Sequence, residues 1–172
     1  PQVSSCGTNT EVSVPCIFAP VGRRDYDEEK IRGSESLLHV LERAGVRTLW
    51  RDNQTGCKGV CDGLAFESFR EPRKDDHCDS QACRDAVMLD GLHDAIDDNP
   101  GDVVVVLHQL GNHGPSYFKR YAEEFRRFIP DCRSADLGSC SRQEIINAYD
   151  NAILATDDFL AQTIRMLAED TS

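Results

Sequence analysis

The residues with the clearest chemical potential lie near the start of the chain, in the stretch Ser5-Cys6-Gly7-Thr8-Asn9-Thr10-Glu11. Thr10 carries a hydroxyl, which becomes a nucleophile when a metal ion or a base lowers its pKa. The turn before it predicts the first turn of a helix, where free backbone N–H groups and the helix dipole favour an anion such as phosphate. The alternative is that Thr8, Asn9 and Thr10 only cap this helix.

Two loop residues could bind the same kind of anion. Lys58 lies between Cys57 and Cys61, and its ammonium group is a suitable partner for phosphate. His113 lies in Gly111-Asn112-His113-Gly114-Pro115, where the glycines let the backbone approach a ligand and the imidazole can donate to a phosphate oxygen. The plain alternatives are a solvated lysine and a structural histidine.

Other titratable residues are less promising as site residues. His108 lies on a predicted strand, so we expect a buried, hydrogen-bonded side chain. Three histidines show no constellation and are interpreted as surface or packing residues: His39, His77 and His93. Four carboxylates could attract a metal, but three of them lie on a predicted helix where acidic residues form a solvated face: Asp52, Asp150, Asp157 and Asp158.

The eight cysteines form four close pairs along the sequence, which are Cys6/Cys16, Cys57/Cys61, Cys78/Cys83 and Cys132/Cys140. An even count in short loops favours disulfides and an oxidising compartment. The competing interpretation is structural zinc on the Cys57/Cys61 and Cys78/Cys83 pairs, although the intervals between pairs are irregular and no His-x3–5-His partner follows.

Composition limits the class of protein. A chain of 172 residues with 40% hydrophobic content can bury one sizeable core. A net charge of −11 argues against nucleic acid as a partner and against bulk attraction to anionic membranes. No run of 18 apolar residues and no signal peptide is present, and the chain opens within a motif, so we expect an excised piece of a longer protein.

Hydrophobic patterns predict an α/β layered fold with a mainly parallel sheet. The predicted helices and strands, in chain order, are a helix over 34–44, a strand over 46–50, a helix over 84–98, a strand over 103–107 and a helix from Ser141 to about 168. The valine-rich strand has no alternation, which indicates an interior parallel strand. Glu144 completes a capping box with Ser141. The cysteine pairs lie in loop-rich segments such as 54–79 and 128–140.

This topology brings two polar loops to one edge of the sheet. Ligands of α/β folds collect at the carboxyl ends of the strands. Trp50-Arg51-Asp52-Asn53 leaves one strand there and His108 to Pro115 leaves the other. We expect Thr10 to join them.

These motifs together resemble the catalytic domain of bacterial lipid A phosphoethanolamine transferases, the family that includes the mobile colistin resistance enzymes. The resemblance is carried by the Thr10 and Lys58 motifs, by Trp50-Arg51-Asp52-Asn53, by Leu107 to Pro115 and by Asn147-Ala148-Tyr149-Asp150-Asn151. It implies an alkaline phosphatase/sulfatase-like α/β/α sandwich with disulfide-tied loops. Residues 1–172 would be part of a single catalytic domain, without its start, its end and the N-terminal membrane region.

The resemblance also implies a reaction. Thr10 would be the nucleophile and a zinc ligand, and it would carry phosphoethanolamine from phosphatidylethanolamine to lipid A, which weakens the attraction of polymyxins. Six residues would contact the substrate: Lys58, His113, Asn53, Gln54, Thr8 and Asn9. Relatives often have two asparagines where this chain has Asn53-Gln54, so either Gln54 takes over the contact or the pocket differs. The implied location is the periplasmic face of the inner membrane, with a monomeric state and four disulfides.

The family pattern is incomplete in this sequence. The family also binds zinc through an upstream glutamate and an Asp-His pair in a Ser-Asp-His-Gly-Glu motif, and neither occurs here. One hydroxyl cannot hold a tetrahedral zinc alone, so we expect this piece to be inactive by itself. Rival interpretations are a related phosphoglycerol transferase, a sulfatase-like hydrolase, and a non-catalytic module that binds the head group.

Overall fold

The computed structural model describes residues 4–71, 74, 76–79 and 82–169. The chain divides into two compact units: unit 1 comprises residues 1–70 and 94–108, and unit 2 comprises residues 71–93 and 109–172. Across the described residues, no helix combines the length and the apolar character that crossing a membrane requires.

Unit 1 contains a three-stranded parallel sheet in the order β2-β1-β3, as the predicted fold class requires. The strands are β1 (Arg47–Asp52), β2 (Ala65–Ser68) and β3 (Val103–His108). The valine strand β3 is parallel, as predicted. However, within the described residues it pairs with β1 alone and is half-buried, whereas β1 takes the central position. β2 lies in a segment predicted as loop.

The central strand is buried because residues 48–52 are covered along both faces. Three helices accompany it in unit 1: α1 (Thr10–Phe18), α2 (Glu28–Arg32) and α3 (Leu37–Arg43). Val14 of α1 and Leu38 of α3 pack with Trp50 of β1 in the core. The predicted helix over 34–44 is thus three residues shorter at its start, where the Ser36 hydroxyl accepts the His39 N–H.

The predicted helix over 84–98 is broken into two pieces. A 3-10 helix occupies Asp85–Leu89, and α4 occupies Leu92–Asp97. Gly91 between them has φ +63°, a left-handed conformation that a right-handed helix cannot continue through. Four more 3-10 helices lie in the described residues: Arg23–Asp25, Tyr117–Lys119, Glu123–Phe125 and Leu137–Ser139.

Unit 2 is organised by the 28-residue helix α5 (Arg142–Glu169). The predicted capping box is confirmed, because Ser141 N–H donates to Glu144 Oε2 over 2.7 Å and Glu144 N–H donates to Ser141 Oγ over 3.3 Å. Further along the helix, the fully buried Asn151 accepts the N–H groups of Arg127 and Phe128 and donates to the Phe128 carbonyl. The helix therefore holds the irregular 127–130 segment by backbone hydrogen bonds.

All eight cysteines are paired as predicted: Cys6–Cys16, Cys57–Cys61, Cys78–Cys83 and Cys132–Cys140. The structural-zinc interpretation of two of these pairs is therefore wrong. Each bond closes a loop of ten residues or fewer, so the bonds secure local turns and contribute no long-range connection.

Candidate functional site

Thr10 is the first residue of α1, and its neighbour Asn9 is the N-cap. The Asn9 Oδ1 accepts the Val12 N–H over 3.0 Å, and the Asn9 carbonyl accepts the Ser13 N–H. The first-turn N–H groups that an anion could use are therefore those of Thr10 and Glu11. Thr10 itself is half-buried, which leaves its hydroxyl accessible at the positive end of the helix dipole.

The Thr10 hydroxyl is oriented by the turn that follows β1. Gln54 Nε2 donates to Thr10 Oγ1 over 3.2 Å. The Gln54 Oε1 in turn accepts the hydroxyl of Thr55 over 2.5 Å, which determines which end of the amide faces Thr10. The Gln54 side chain therefore lies at the Thr10 hydroxyl, where the sequence predicts a substrate contact.

Asp52 holds that turn in place. Its side chain is completely buried at the end of β1. Oδ2 accepts the N–H groups of Gln54 and Gly56, while Oδ1 accepts the Trp50 indole N–H and lies 2.7 Å from His108 Nδ1. Burial raises the pKa of Asp52, but the hydrogen bonds from His108, Gly56 and Trp50 outweigh it, so the net pKa lies below its ordinary value.

The carboxylate of Asp52 is thus fully engaged inside the protein and supports the site rather than offering a metal ligand. His108, at the end of the neighbouring strand β3, is hydrogen-bonded and largely buried, as predicted. Its ring also packs edge-on against Trp50, with 5.2 Å between ring centroids.

Lys58 contacts the first turn of α1 through Glu11, the residue that follows Thr10. Lys58 Nζ forms an ion pair with Glu11 Oε1 at 2.7 Å and donates to the Thr55 carbonyl at 2.9 Å. Its backbone is left-handed, with φ +57°, in the loop closed by the Cys57–Cys61 disulfide. The loop therefore holds the ammonium group near the first turn of α1, so Thr10, Gln54 and Lys58 come together in unit 1.

The remaining predicted residues of unit 1 differ in accessibility. Asn53 is buried, with its N–H bonded to the His108 carbonyl, whereas Thr8 and Asn9 are exposed beside the helix start. Sequence reasoning missed Thr55, which is exposed and contacts both Gln54 and Lys58. Its position between two predicted contact residues was the available signal.

His113 belongs to unit 2, where it is exposed on the loop that follows β3. Its Nδ1 lies 2.8 Å from the Gly114 carbonyl, and its own carbonyl accepts Arg120 Nε over 3.0 Å. Asp85, which the sequence did not single out, accepts the N–H groups of Leu110 and Gly111 at 2.9 and 2.7 Å. The loop that presents His113 is therefore held at its start by a carboxylate and at its centre by a guanidinium.

A zinc ion does not fit the described residues alone. Among them, no group of three or more His, Cys, Asp or Glu side chains could hold a metal ion. Thr10 offers one oxygen, which already accepts a hydrogen bond from Gln54. The described residues therefore do not form a zinc site by themselves.

Comparison with known proteins finds the same group of enzymes that the sequence motifs resemble. The chain is 47% identical to the phosphatidylethanolamine transferase Mcr-2 of Escherichia coli over 96% of this chain and 32% of the relative. It is 42% identical to the phosphoethanolamine transferase EptA of Salmonella typhimurium over 97% of this chain and 30% of the relative. The chain thus spans about a third of the length of the curated relatives that it matches.

Solved structures share the fold. The integral membrane lipooligosaccharide phosphoethanolamine transferase EptA of Neisseria meningitidis matches with TM-score 0.92 and 39% identity, over 97% of this chain and 31% of that one. The C-terminal periplasmic domain of EcEptC from Escherichia coli, solved in complex with Zn, matches with TM-score 0.69 and 19% identity over 92% and 45%. The sulfatase family model matches residues 1–172. The chain therefore belongs to the sulfatase family, and it is similar to phosphoethanolamine transferases of that family.

Proposed function

We propose that this chain supplies the nucleophile of a phosphoethanolamine transferase. Thr10 Oγ1 attacks the phosphorus of phosphatidylethanolamine, the bond to the diacylglycerol oxygen breaks, and diacylglycerol leaves with a proton. A phosphate oxygen of lipid A then attacks the same phosphorus, and the bond from phosphorus to Thr10 Oγ1 breaks. The proton of the acceptor's phosphate monoanion passes to Oγ1 and restores the free hydroxyl. The observation that carries this proposal is the contact between Gln54 Nε2 and Thr10 Oγ1 at the start of α1, where Lys58 pairs with the neighbouring Glu11.

The arrangement in unit 1 suits a phosphoryl group that develops negative charge in the transition state. The N–H groups of the first turn of α1 and the ammonium of Lys58 supply positive potential at the Thr10 oxygen. Gln54 donates to one lone pair of that oxygen and leaves the other available for attack. Thr8, Asn9 and Asn53 are proposed as further head-group contacts. His113 is also proposed as a contact of the substrate, because it is exposed on its loop.

Zinc is the proposed cofactor, and it would lower the pKa of the Thr10 hydroxyl. Its support is the family resemblance and the chemistry of the reaction, with Thr10 as one of its ligands. The four disulfides support an oxidising location, which we propose to be the periplasmic face of the inner membrane. Adding phosphoethanolamine makes lipid A less anionic, so resistance to colistin is the proposed consequence, and the proposed state is a monomer within a single catalytic domain.

A chimera tests the proposal, with residues 1–172 replacing the aligned segment of Mcr-2. After incubation with phosphatidylethanolamine, mass spectrometry should find phosphoethanolamine on Thr10. Thr10→Ala should abolish the adduct, whereas Thr10→Ser should retain part of it because it keeps a hydroxyl. Reversible binding without an adduct would instead indicate a head-group binding module. Release of phosphoethanolamine to water, without transfer to lipid A, would indicate a hydrolase.

A further inference from the structure

Unit 2 contains a cleft of about 520 Å³ lined by positive side chains. We call it the cationic cleft, because four positively charged residues line it: Arg84, Lys119, Arg120 and Arg133. His77 lies at the same cleft, and Asp79 is the only carboxylate residue among its described lining residues. Such a concentration of positive charge contrasts with the net charge of −11 for the whole chain.

Two arginines of the cleft, Arg84 and Arg120, donate hydrogen bonds to backbone carbonyl oxygens. Arg84 Nη2 donates to the Asp76 carbonyl over 2.7 Å, and Arg120 Nε donates to the His113 carbonyl over 3.0 Å. Carbonyl oxygens orient a guanidinium without neutralising it, and each guanidinium has further N–H donors. The charges are therefore positioned before any ligand arrives.

Arg133 is positioned in a different way. Its guanidinium lies 5.6 Å from the centre of the Phe118 ring, and Nη1 lies 3.4 Å from Asp131 Oδ2. Asp131 also pairs with Arg126 at 2.8 Å, so one carboxylate is shared between two arginines. Burial lowers the pKa of Arg120, opposed by the charge of Asp85. An anion in the cleft would offset this cost of burying positive charge.

The size of the cleft narrows the class of ligand. Its volume lies in the range of pockets that take small organic molecules, and it exceeds what a bare phosphate ion would fill. Arginine forks match phosphate oxygens in a bidentate manner, while Asp79 and Ser116 place polar side chains at the cleft. A phosphate attached to a sugar satisfies both the charge and the volume.

We propose that the cationic cleft binds a phosphorylated sugar of the lipid acceptor. This inference rests on the proposed function, because it assumes that the acceptor is lipid A, a phosphorylated glucosamine disaccharide. The cleft would hold the acceptor through its phosphate and take no part in forming the adduct on Thr10. Its Arg120 also bonds the backbone of His113, so occupancy of the cleft is linked to the loop that presents this histidine.

The test measures two steps separately in the Mcr-2 chimera: formation of the adduct on Thr10 and transfer of phosphoethanolamine to lipid A. We call these steps the two half-reactions. The double variant Arg84→Gln/Lys119→Gln removes two cleft charges and keeps hydrogen-bonding side chains. The adduct on Thr10 should still form, whereas the KM for lipid A in its transfer should rise at least tenfold. Arg165→Gln, on the exposed part of α5, is the matched control and should leave both half-reactions unchanged.

Binding of soluble probes to the 172-residue chain distinguishes the sources of phosphate. Glucosamine 1-phosphate should perturb NMR signals of the cleft more strongly than inorganic phosphate, and the double variant should weaken its binding at least tenfold. Equal binding of both probes, or binding that the double variant does not change, would overturn the proposal. Absence of the Thr10 adduct from the unmodified chimera would instead refute the proposed function. Normal adduct formation with unchanged transfer in the double variant would refute this inference alone.

Discussion

His108 Nδ1 lies 2.7 Å from Oδ1 of Asp52, and the two residues occupy the carboxyl ends of adjacent parallel strands. This contact ties β3 to the turn that carries Gln54, because the second oxygen of Asp52 accepts the Gln54 N–H. Gln54 in turn contacts Thr10 Oγ1. The buried carboxylate of Asp52 is therefore connected through one turn to the Thr10 hydroxyl that the proposed reaction uses.

The first prediction concerns Asp52. In the native protein, buried N–H donors share the Asp52 carboxylate. Asp52→Asn replaces one carboxylate oxygen by an N–H₂ group, so at least one of these donors loses its acceptor. We expect a loss of about 3 kcal/mol in the free energy of unfolding, measured by urea denaturation. Asp62→Asn is the control, because this residue is exposed. Equal stability of the two variants would contradict the role assigned to Asp52.

A second prediction is the pH dependence of stability. Burial raises the pKa of Asp131 as it does that of Asp52, but the bonds from Tyr121 and Arg126 outweigh it, so both net values lie below the ordinary 3.8. Each depressed carboxylate stabilises the fold above its unfolded pKa, and the contribution disappears as pH falls through the folded pKa. Unfolding free energies should thus decline below about pH 4. In Asp52→Asn the decline should be shallower, and a parallel decline in both proteins would speak against this.

A third prediction concerns the stability of the fold at alkaline pH, where Tyr121 titrates. Burial, followed by the hydrogen bond to Asp131, raises the pKa of Tyr121 to about 12. Because the folded pKa exceeds the ordinary value of 10.0, the contribution is complete below pH 10.0 and is lost as pH rises through about 12. Stability should therefore fall on strong alkalisation, and Tyr121→Phe should remove this part of the fall. Spectrophotometric titration of the phenol at 295 nm, alongside urea denaturation, checks both statements.

Local signals explain which elements of the fold the sequence predicted. The start of α5 follows from Ser141 and Glu144, and the start of α1 follows from the polar turn before Thr10, because caps are encoded by neighbouring residues. β2 was missed since Ala65–Ser68 is short and mostly exposed, so it has no hydrophobic pattern. The break at Gly91 was missed because the apolar spacing of the predicted helix continues through it.

The site was predictable where it rests on residue type and less so where it rests on particular contacts between side chains and the backbone. Thr10 and Lys58 were identified from their motifs. The support from Asp52 to the Gln54 turn, and from Asp85 to the loop before His113, depends on pairs separated by two to 26 residues in sequence. The sequence position of a carboxylate does not indicate which backbone N–H groups will donate hydrogen bonds to it. Such partners become visible only in the folded chain.

A fourth prediction concerns the ion pair between Lys58 and Glu11. Glu11→Gln removes the partner charge from Lys58 Nζ and leaves the ammonium group with the Thr55 carbonyl. The phosphate of a head group should then bind more tightly, by about threefold, because the exposed Glu11 no longer competes for the ammonium group. Binding of glycerophosphoethanolamine to the chain, measured by calorimetry, checks this. Lys58→Gln should weaken the same binding, and if both variants weaken it, Glu11 contributes more than charge neutralisation.

The last prediction compares two disulfides. Replacing Cys57 and Cys61 by serine opens the loop in which Lys58 has a left-handed backbone, while replacing Cys132 and Cys140 opens a loop in unit 2. Each pair of substitutions should lower the free energy of unfolding by about 2–3 kcal/mol, since each releases a short closed loop in the unfolded chain. In the Mcr-2 chimera, only the Cys57/Cys61 variant should also slow adduct formation on Thr10. Equal slowing by both variants would show that the effect follows from lost stability, because the Cys132–Cys140 bond does not hold the Lys58 loop.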